Sequence, residues 1–129
     1  MMKKLPIALA LTVGVAAGAA SMHVYAQGAE QKPAFIVVSA SSVTNADAEK
    51  LAAYGAKAGP LARDAGISIL ARGNPTVLEG EYTHETVTIE RFDSMKALKA
   101  FWFSDGYQEA KKLREGQADI AFIVAIEGS

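Results

Sequence analysis

The sequence contains no cysteine. That absence excludes disulfides, zinc–thiolate sites, cysteine nucleophiles, haem attachment through C-x-x-C-H and a lipidated N-terminal cysteine. Charge of one sign is missing too: 13 basic and 14 acidic side chains leave a net −1. No basic surplus draws the chain to nucleic acid. Two histidines in 129 residues are too few to build a metal site, and none is expected. The sequence holds no G-x-S-x-G, no Gly-rich phosphate loop and no H-E-x-x-H, so hydrolase, nucleotide-binding and zinc-protease functions lack support. No cofactor motif is present either, and the chain is read as cofactor-free. What remains is half apolar, too much for a disordered tail and enough for the core of one domain.

One long apolar run occurs, Leu5 to Met22, behind Lys3 and Lys4 and ahead of Val24-Tyr25-Ala26. A positive start, an apolar stretch and small residues three and one positions before a cut mark a secretory signal peptide. Cleavage is expected after Ala26, making residues 1–26 a leader and the mature protein periplasmic or secreted. The run is rich in Ala and Gly and carries Pro6, which argues against a retained membrane anchor. Removal leaves 103 residues with 11 basic and 14 acidic side chains, a charge of −3. A chain this small, without disulfides, buries a modest fraction of its surface. A second copy is the simplest source of more, so a homodimer is expected.

Residues 27–33 read as a flexible lead-in to a single domain over 34–128. Residues 34–40 are β-branched and apolar, a strand. Thr44 or Asn45 then suits a helix N-cap, with Asp47 and Glu49 in the first turn. Leu51, Ala52, Gly55, Ala58, Leu61, Ala62 and Ala65 form its apolar stripe. Pro60 is expected to kink or restart that helix, and Gly66 to close it. A second strand covers 67–72, with an edge extension at 76–82. Residues 85–92 alternate as a third strand. Asp93 or Ser94 caps a helix carrying Met95, Leu98, Phe101 and Trp102. Asp105 with Gln108 resembles a capping box opening a further helix over 106–115. Residues 120–126 close the chain as a strand. The order β-α-β-β-α-β is that of the ferredoxin-like plait, an α+β fold with a four-stranded antiparallel sheet and helices on one face.

Strict alternation sorts the strands into two faces. Ile36, Val38, Ile67, Ile69, Val87, Ile89, Ile120, Phe122, Val124 and Ile126 form an apolar face, expected under the helices. Phe35, Val37, Ser39, Ser68, Leu70, Arg72, Thr86, Thr88, Glu90, Ala121, Ile123 and Ala125 form a mixed one. Too greasy for water, the mixed face is expected to meet a second sheet, with a pocket between sheet and helices or at the mouth of the shared barrel.

Candidate chemistry is sparse. Arg72 and Glu90 are opposite charges on neighbouring strands, either a structural ion pair or a guanidinium clamp for a carboxylate held by Glu90. His84 is the one histidine of the mature chain. It is a candidate general base, though a loop histidine more often serves only as a solvated side chain. Glu79, Glu81 and Glu85 nearby read as charges that keep an edge from pairing. Trp102, Tyr107 and Arg114 gather around the broken second helix. Tyr107 and Arg114 stand two turns apart on one face, serving either as core and tether or as a pocket rim for an anion. Two functions fit: a small-molecule-binding homodimer, or a cofactor-independent enzyme using His84 or Glu90. A structural homodimer without ligand is the third.

The motifs Ala71-Arg72-Gly73, Leu78-Glu79-Gly80, Phe92-x-Ser94, Leu98 with Phe101-Trp102, Ser104-x-x-Tyr107-Gln108 and Leu113-Arg114, with the helix-interior Pro60, resemble the domain of unknown function 1330 family. The resemblance spans residues 34–128. It implies a dimeric α+β barrel, two plaits paired sheet to sheet. That architecture also serves cofactor-free monooxygenases of antibiotic biosynthesis, muconolactone isomerases and haem-dependent chlorite dismutases, so it implies a fold and no single reaction. A haem would need His84 as axial ligand, without a supporting motif. The chain departs from the pattern in its leader and in Gly106, where proline or glutamate is usual, which is expected to loosen the start of the following helix.

Overall fold

The computed structural model describes residues 31–129, so the expected leader and residues 27–30 of the lead-in lie outside the described residues. Small and β-branched side chains form β1 (Ala34–Ser42). The chain then turns into α1 (Ala48–Asp64). Its cap is Asp47, not Thr44 or Asn45. The Asp47 carboxylate accepts from the Glu49 and Lys50 backbone N–H groups at 2.9 and 3.2 Å, satisfying donors that helix geometry leaves open. The helix runs through Pro60 without restarting. The ring removes one donor, but Ala58 and Leu61 on either side of it are anchored by packing against Tyr107 and Ala110. Gly66 ends the helix as expected, at φ +74°. Its N–H bonds to Arg63 O and that of Ile67 to Ala62 O, at 3.0 and 3.1 Å, the paired closure that favours glycine.

β2 (Ser68–Gly73) follows, then β3 (Thr86–Phe92). The expected edge extension at 76–82 is instead an exposed loop; Gly80, at φ +89°, takes the backbone out of the extended range. Tyr82 pins this loop, its hydroxyl 2.7 Å from Ser39 Oγ and 3.1 Å from Thr86 O. Ser94 caps α2 (Met95–Trp102). The cap of α3 (Asp105–Lys112) is Ser104 rather than Asp105. Ser104 Oγ accepts from the Tyr107 N–H at 3.1 Å and donates to Phe101 O at 2.8 Å, so one hydroxyl joins the two short helices. Gly106 tightens this start: a Cβ there would stand 3.3 Å from Leu61 Cδ1, so its absence lets α3 approach α1. β4 (Ala118–Glu127) completes the fold.

The strands order β2-β3-β1-β4, every neighbouring pair antiparallel. This is the ferredoxin-like α+β arrangement. Ala34, Ile36, Phe92 and Leu98 make one core cluster, and Ala58, Tyr107 and Ala110 a second. Among the described residues no helix is long and apolar enough to cross a membrane.

The register corrects the expected faces. Ile36 pairs with Glu90 and Val38 with Thr88 on one side, and with Ala125 and Ile123 on the other. Directly paired residues share a face, so Thr88, Glu90, Ile123 and Ala125 lie under the helices. Val87, Ile89, Phe122, Val124 and Ile126 lie on the open face. The apolar content of a strand did not reveal its direction, because a one-residue offset exchanges every side chain between faces. Two bulges add to this. β2 carries an extra residue, with Ile69 opposite Glu90 but Ala71 opposite Ile89. β4 carries another, with Phe122 opposite Ser39 but Ile120 opposite Ala40. Each turns residues three apart, Ile69 with Arg72 and Ile120 with Ile123, onto the helix side.

Candidate functional site

A cavity of about 350 Å³ lies between the sheet and the helices. Its roof is the inner side of α1, where Gly55, Ala58, Gly59 and Ala62 follow one another along the helix. Their small size creates the space: a Cβ on Gly55 would meet no atom within 4 Å. The floor is Ile36, Val38, Thr88 and Glu90 from the central strands, extended by Ile69 and Arg72 on one edge and Ile120 and Ile123 on the other. Phe101, Trp102, Tyr107 and Arg114 close one end. The β2 bulge is what delivers Arg72, since strict alternation would leave it on the opposite face from Ile69.

Polar groups stand on both walls. On the helix wall, the Tyr54 and Tyr107 hydroxyls share a 3.0 Å hydrogen bond and Arg114 Nη2 donates to Tyr107 Oη at 3.4 Å. The Arg114 guanidinium also lies over the Tyr54 ring, 5.8 Å from its centroid. Tyr107 is 4% exposed and packs against Phe101 and Trp102 at ring-centroid distances of 4.6 and 5.1 Å. Burial, then the bond to Tyr107, holds the Tyr54 phenol above its ordinary value, with Arg114 acting in the opposite sense. Burial works against the charge of Arg114, but the Tyr107 and Tyr54 hydroxyls outweigh it and hold the guanidinium up.

On the sheet wall, burial raises the Glu90 carboxyl, offset in part by the charge of Arg72. The two do not form a salt bridge: among the described residues, ion pairs within 4.0 Å join His84 to Asp119, Arg91 to Asp93 and Lys112 to Glu109. Neither Arg72 nor Glu90 has a hydrogen-bond partner there. An acid and a guanidinium thus line one cavity with their hydrogen-bonding capacity unspent.

The structure therefore brings Arg72, Glu90, Trp102, Tyr107 and Arg114 to a single cavity and leaves His84 out of it. His84 lies in the loop just before β3, Nε2 3.4 Å from Asp119 Oδ2 and Nδ1 3.2 Å from Thr83 Oγ1. Glu85 beside it accepts from the Ser42 N–H and hydroxyl at 2.9 and 3.0 Å, which holds its carboxyl below the usual range. Among the described residues no group of three or more His, Cys, Asp or Glu side chains is placed to hold a metal. Sequence reasoning passed over Tyr54 and Thr88. The available signal for Tyr54 was its place on the α1 stripe, three after Leu51 and four before Ala58, as the single large polar side chain among small ones.

No curated protein matches the chain. Among solved structures it is similar to a protein of unknown function from Rhodopseudomonas palustris (RPA0582), at 24% identity and a TM-score of 0.59, over 83% of this chain and 92% of that one. The methylated form of RPA0582 gives 22% and 0.60, over 83% and 90%. A hydroxynitrile lyase from Passiflora edulis aligns at 13% identity and a TM-score of 0.51, over 76% of this chain and 94% of that one. At these identities the likeness carries the fold and not the chemistry. The profile of the family described as Domain of unknown function (DUF1330) matches residues 33–129, and the chain belongs to that family.

Proposed function

We propose that this is an exported, homodimeric protein that binds a small molecule in the cavity between its sheet and helices. One observation carries the reading: Arg72 and Glu90 line a mainly apolar cavity, feeling each other's charge yet with no protein hydrogen bond to either side chain among the described residues. The half-buried Glu90 carboxyl and the exposed Arg72 guanidinium therefore keep acceptors and donors available to a ligand. The cavity is at the small end of the range for ligand sites and has their usual composition, apolar walls with a few convergent polar groups.

The dimer part rests on the open face. Phe122, Val124 and Ile126 there keep 43–59% of their surface exposed, and Val37, Ile89 and Val124 run side by side across it. A contiguous apolar sheet face of this kind suits a second, self-complementary sheet about 10 Å away. Export rests on the leader pattern of residues 1–26.

Native mass spectrometry of the protein purified from its own compartment tests all three parts, reporting subunit number, leader removal and any retained small molecule. Gly55→Leu, which fills the cavity, should abolish ligand-induced thermal shifts across a metabolite panel without lowering the melting temperature of the free protein. A monomer, or shifts that survive Gly55→Leu, would overturn the corresponding part. A second reading, a cofactor-independent isomerase or monooxygenase acting on a small acidic or aromatic substrate, is favoured by Glu90, a half-buried carboxyl lining the cavity.

A further inference from the structure

We propose that the cavity takes a ligand bearing a phenol- or enol-type oxygen on a flat unsaturated body, with the Tyr54 hydroxyl as donor to that oxygen. The inference rests on the cavity being a ligand site and names the class of ligand.

The direction of the hydrogen bonds on the helix wall leads to Tyr54. Arg114 has only donors, so at 3.4 Å it must give to Tyr107 Oη. The Tyr107 hydroxyl is buried, and its other partner among the described residues is Tyr54 Oη at 3.0 Å. Were Tyr54 to donate to Tyr107, the Tyr107 proton would be left buried without an acceptor. The satisfied arrangement runs from Arg114 to Tyr107 to Tyr54. It leaves the Tyr54 proton with no protein acceptor, on a residue that lines the cavity. Each bond polarises the next, and the chain begins on a fixed positive charge. Burial holds the Tyr54 phenol above its ordinary value, so it meets a ligand as a donor rather than as a base.

Such a device suits one oxygen on which negative charge sits or develops. A carboxylate would ask for the two-pronged face of a guanidinium. Arg114 instead spends its donors on the Tyr107 and Tyr54 hydroxyls and lies over the Tyr54 ring, leaving a single O–H for the ligand. On the opposite wall Arg72 adds positive potential beside Glu90, whose carboxyl burial shifts upward. The body of the ligand meets a smooth surface of Gly55, Ala58 and Gly59 and the rings of Phe101 and Trp102. That is a slot for a planar group.

The probes are 4-nitrophenol, whose absorbance distinguishes phenol from phenolate, and nitrobenzene, which has the same body without the hydroxyl. The wild-type protein should bind 4-nitrophenol with its ionisation shifted toward phenolate relative to water, and prefer it to nitrobenzene. Tyr54→Phe should lose roughly tenfold or more of the affinity for phenolate, the usual worth of a hydrogen bond to a charged group, and keep its affinity for nitrobenzene. Tyr107→Phe, acting through Tyr54 as a positioning change, should shift the ionisation of the bound probe back toward that in water. Nitrophenol bound with unshifted ionisation, or by Tyr54→Phe as by wild type, overturns the oxyanion assignment while the cavity reading stands. If neither probe binds wild type any better than it binds Gly55→Leu, both readings fall. Should Tyr54→Phe not fold, the ionisation of the probe on wild type decides alone.

Discussion

Replacing Val124 by aspartate tests the apolar sheet face where it is most exposed to judgement. Val124 stands beside Val37, which stands beside Ile89, a row crossing three strands of the open face. It is 48% exposed in the single subunit. Covering the remaining half of a valine of this kind stabilises by roughly 1 kcal/mol, and a two-fold axis applies the loss twice. The larger effect is the charge. A carboxylate two bonds from the backbone is too short to reach the rim, and burying each one costs several kcal/mol. The sum is at least about 4 kcal/mol, or roughly a thousandfold in dimer Kd. Analytical ultracentrifugation over a concentration series should show wild type as a dimer and Val124→Asp as a monomer. The melting temperature of wild type alone should rise with protein concentration. Ala53→Lys, on an exposed position of α1, should leave assembly unchanged. A Val124→Asp dimer of wild-type affinity, or disruption by Ala53→Lys, would refute the assignment of this face.

Four further outcomes are expected. Between the unfolded and the raised native value of Glu90, the unfolded chain has released a proton that the native one keeps, so stability falls as pH rises through that window. Glu90→Gln should therefore match wild type in acid and melt higher at neutral pH; a difference constant with pH would count against the burial of this carboxyl. Glu85 has the opposite sign: its lowered native value lends stability above the unfolded carboxylate range that fades as pH falls. Glu85→Gln should accordingly melt lower than wild type at neutral pH and converge with it in acid, read by calorimetry. Gly106→Val forces a branched side chain against Leu61 and should cost about 1–3 kcal/mol in denaturant titrations, whereas Gly106→Ala stays within about 1 kcal/mol of wild type. His84→Ala should leave probe binding in the cavity unaltered and cost under ~1 kcal/mol, because its pairing with the largely exposed Asp119 is weak.

Element types and order were legible because they depend on local pattern. The β-branched run of β1, the alternation of β3 and the small-residue stripe of α1 each state their period within a dozen residues. Five residues suspected from composition do share one cavity: Arg72, Glu90, Trp102, Tyr107 and Arg114. The facing of the strands was not legible. Val87 and Ile89 look like core beside Thr88 and Glu90, yet it is the second pair that lies under the helices, because Ile36 is registered on Glu90. Register is a long-range property, fixed by which face a neighbouring strand has already committed, and nothing in residues 86–92 records it. The bulges were invisible for a related reason. Leu70 and Ala121 are extra only relative to their partner strands, and a single strand read alone keeps its period of two.

The polar floor and the apolar outer face make sense together. A sheet with one solvated face would put Thr88 and Glu90 outward and Ile89 and Val124 inward, the arrangement that alternation favours. Here the inner face carries the polar groups, and Gly55 and Gly59 on α1 leave space above them. Each feature lowers stability: glycine inside a helix costs about 1 kcal/mol relative to alanine, and a half-buried carboxyl without a hydrogen bond adds to that cost. A core so thinned, in a domain of this size without disulfides, has little reserve. The outward apolar face offsets the deficit only if a second sheet covers it. Cavity and dimer are then linked by energetics rather than by contact. The prediction that follows is that cavity-filling changes and dimer-breaking changes compensate: Gly55→Leu should restore part of the melting temperature that Val124→Asp removes. If the double variant is no more stable than Val124→Asp alone, the cavity is not where stability was given up.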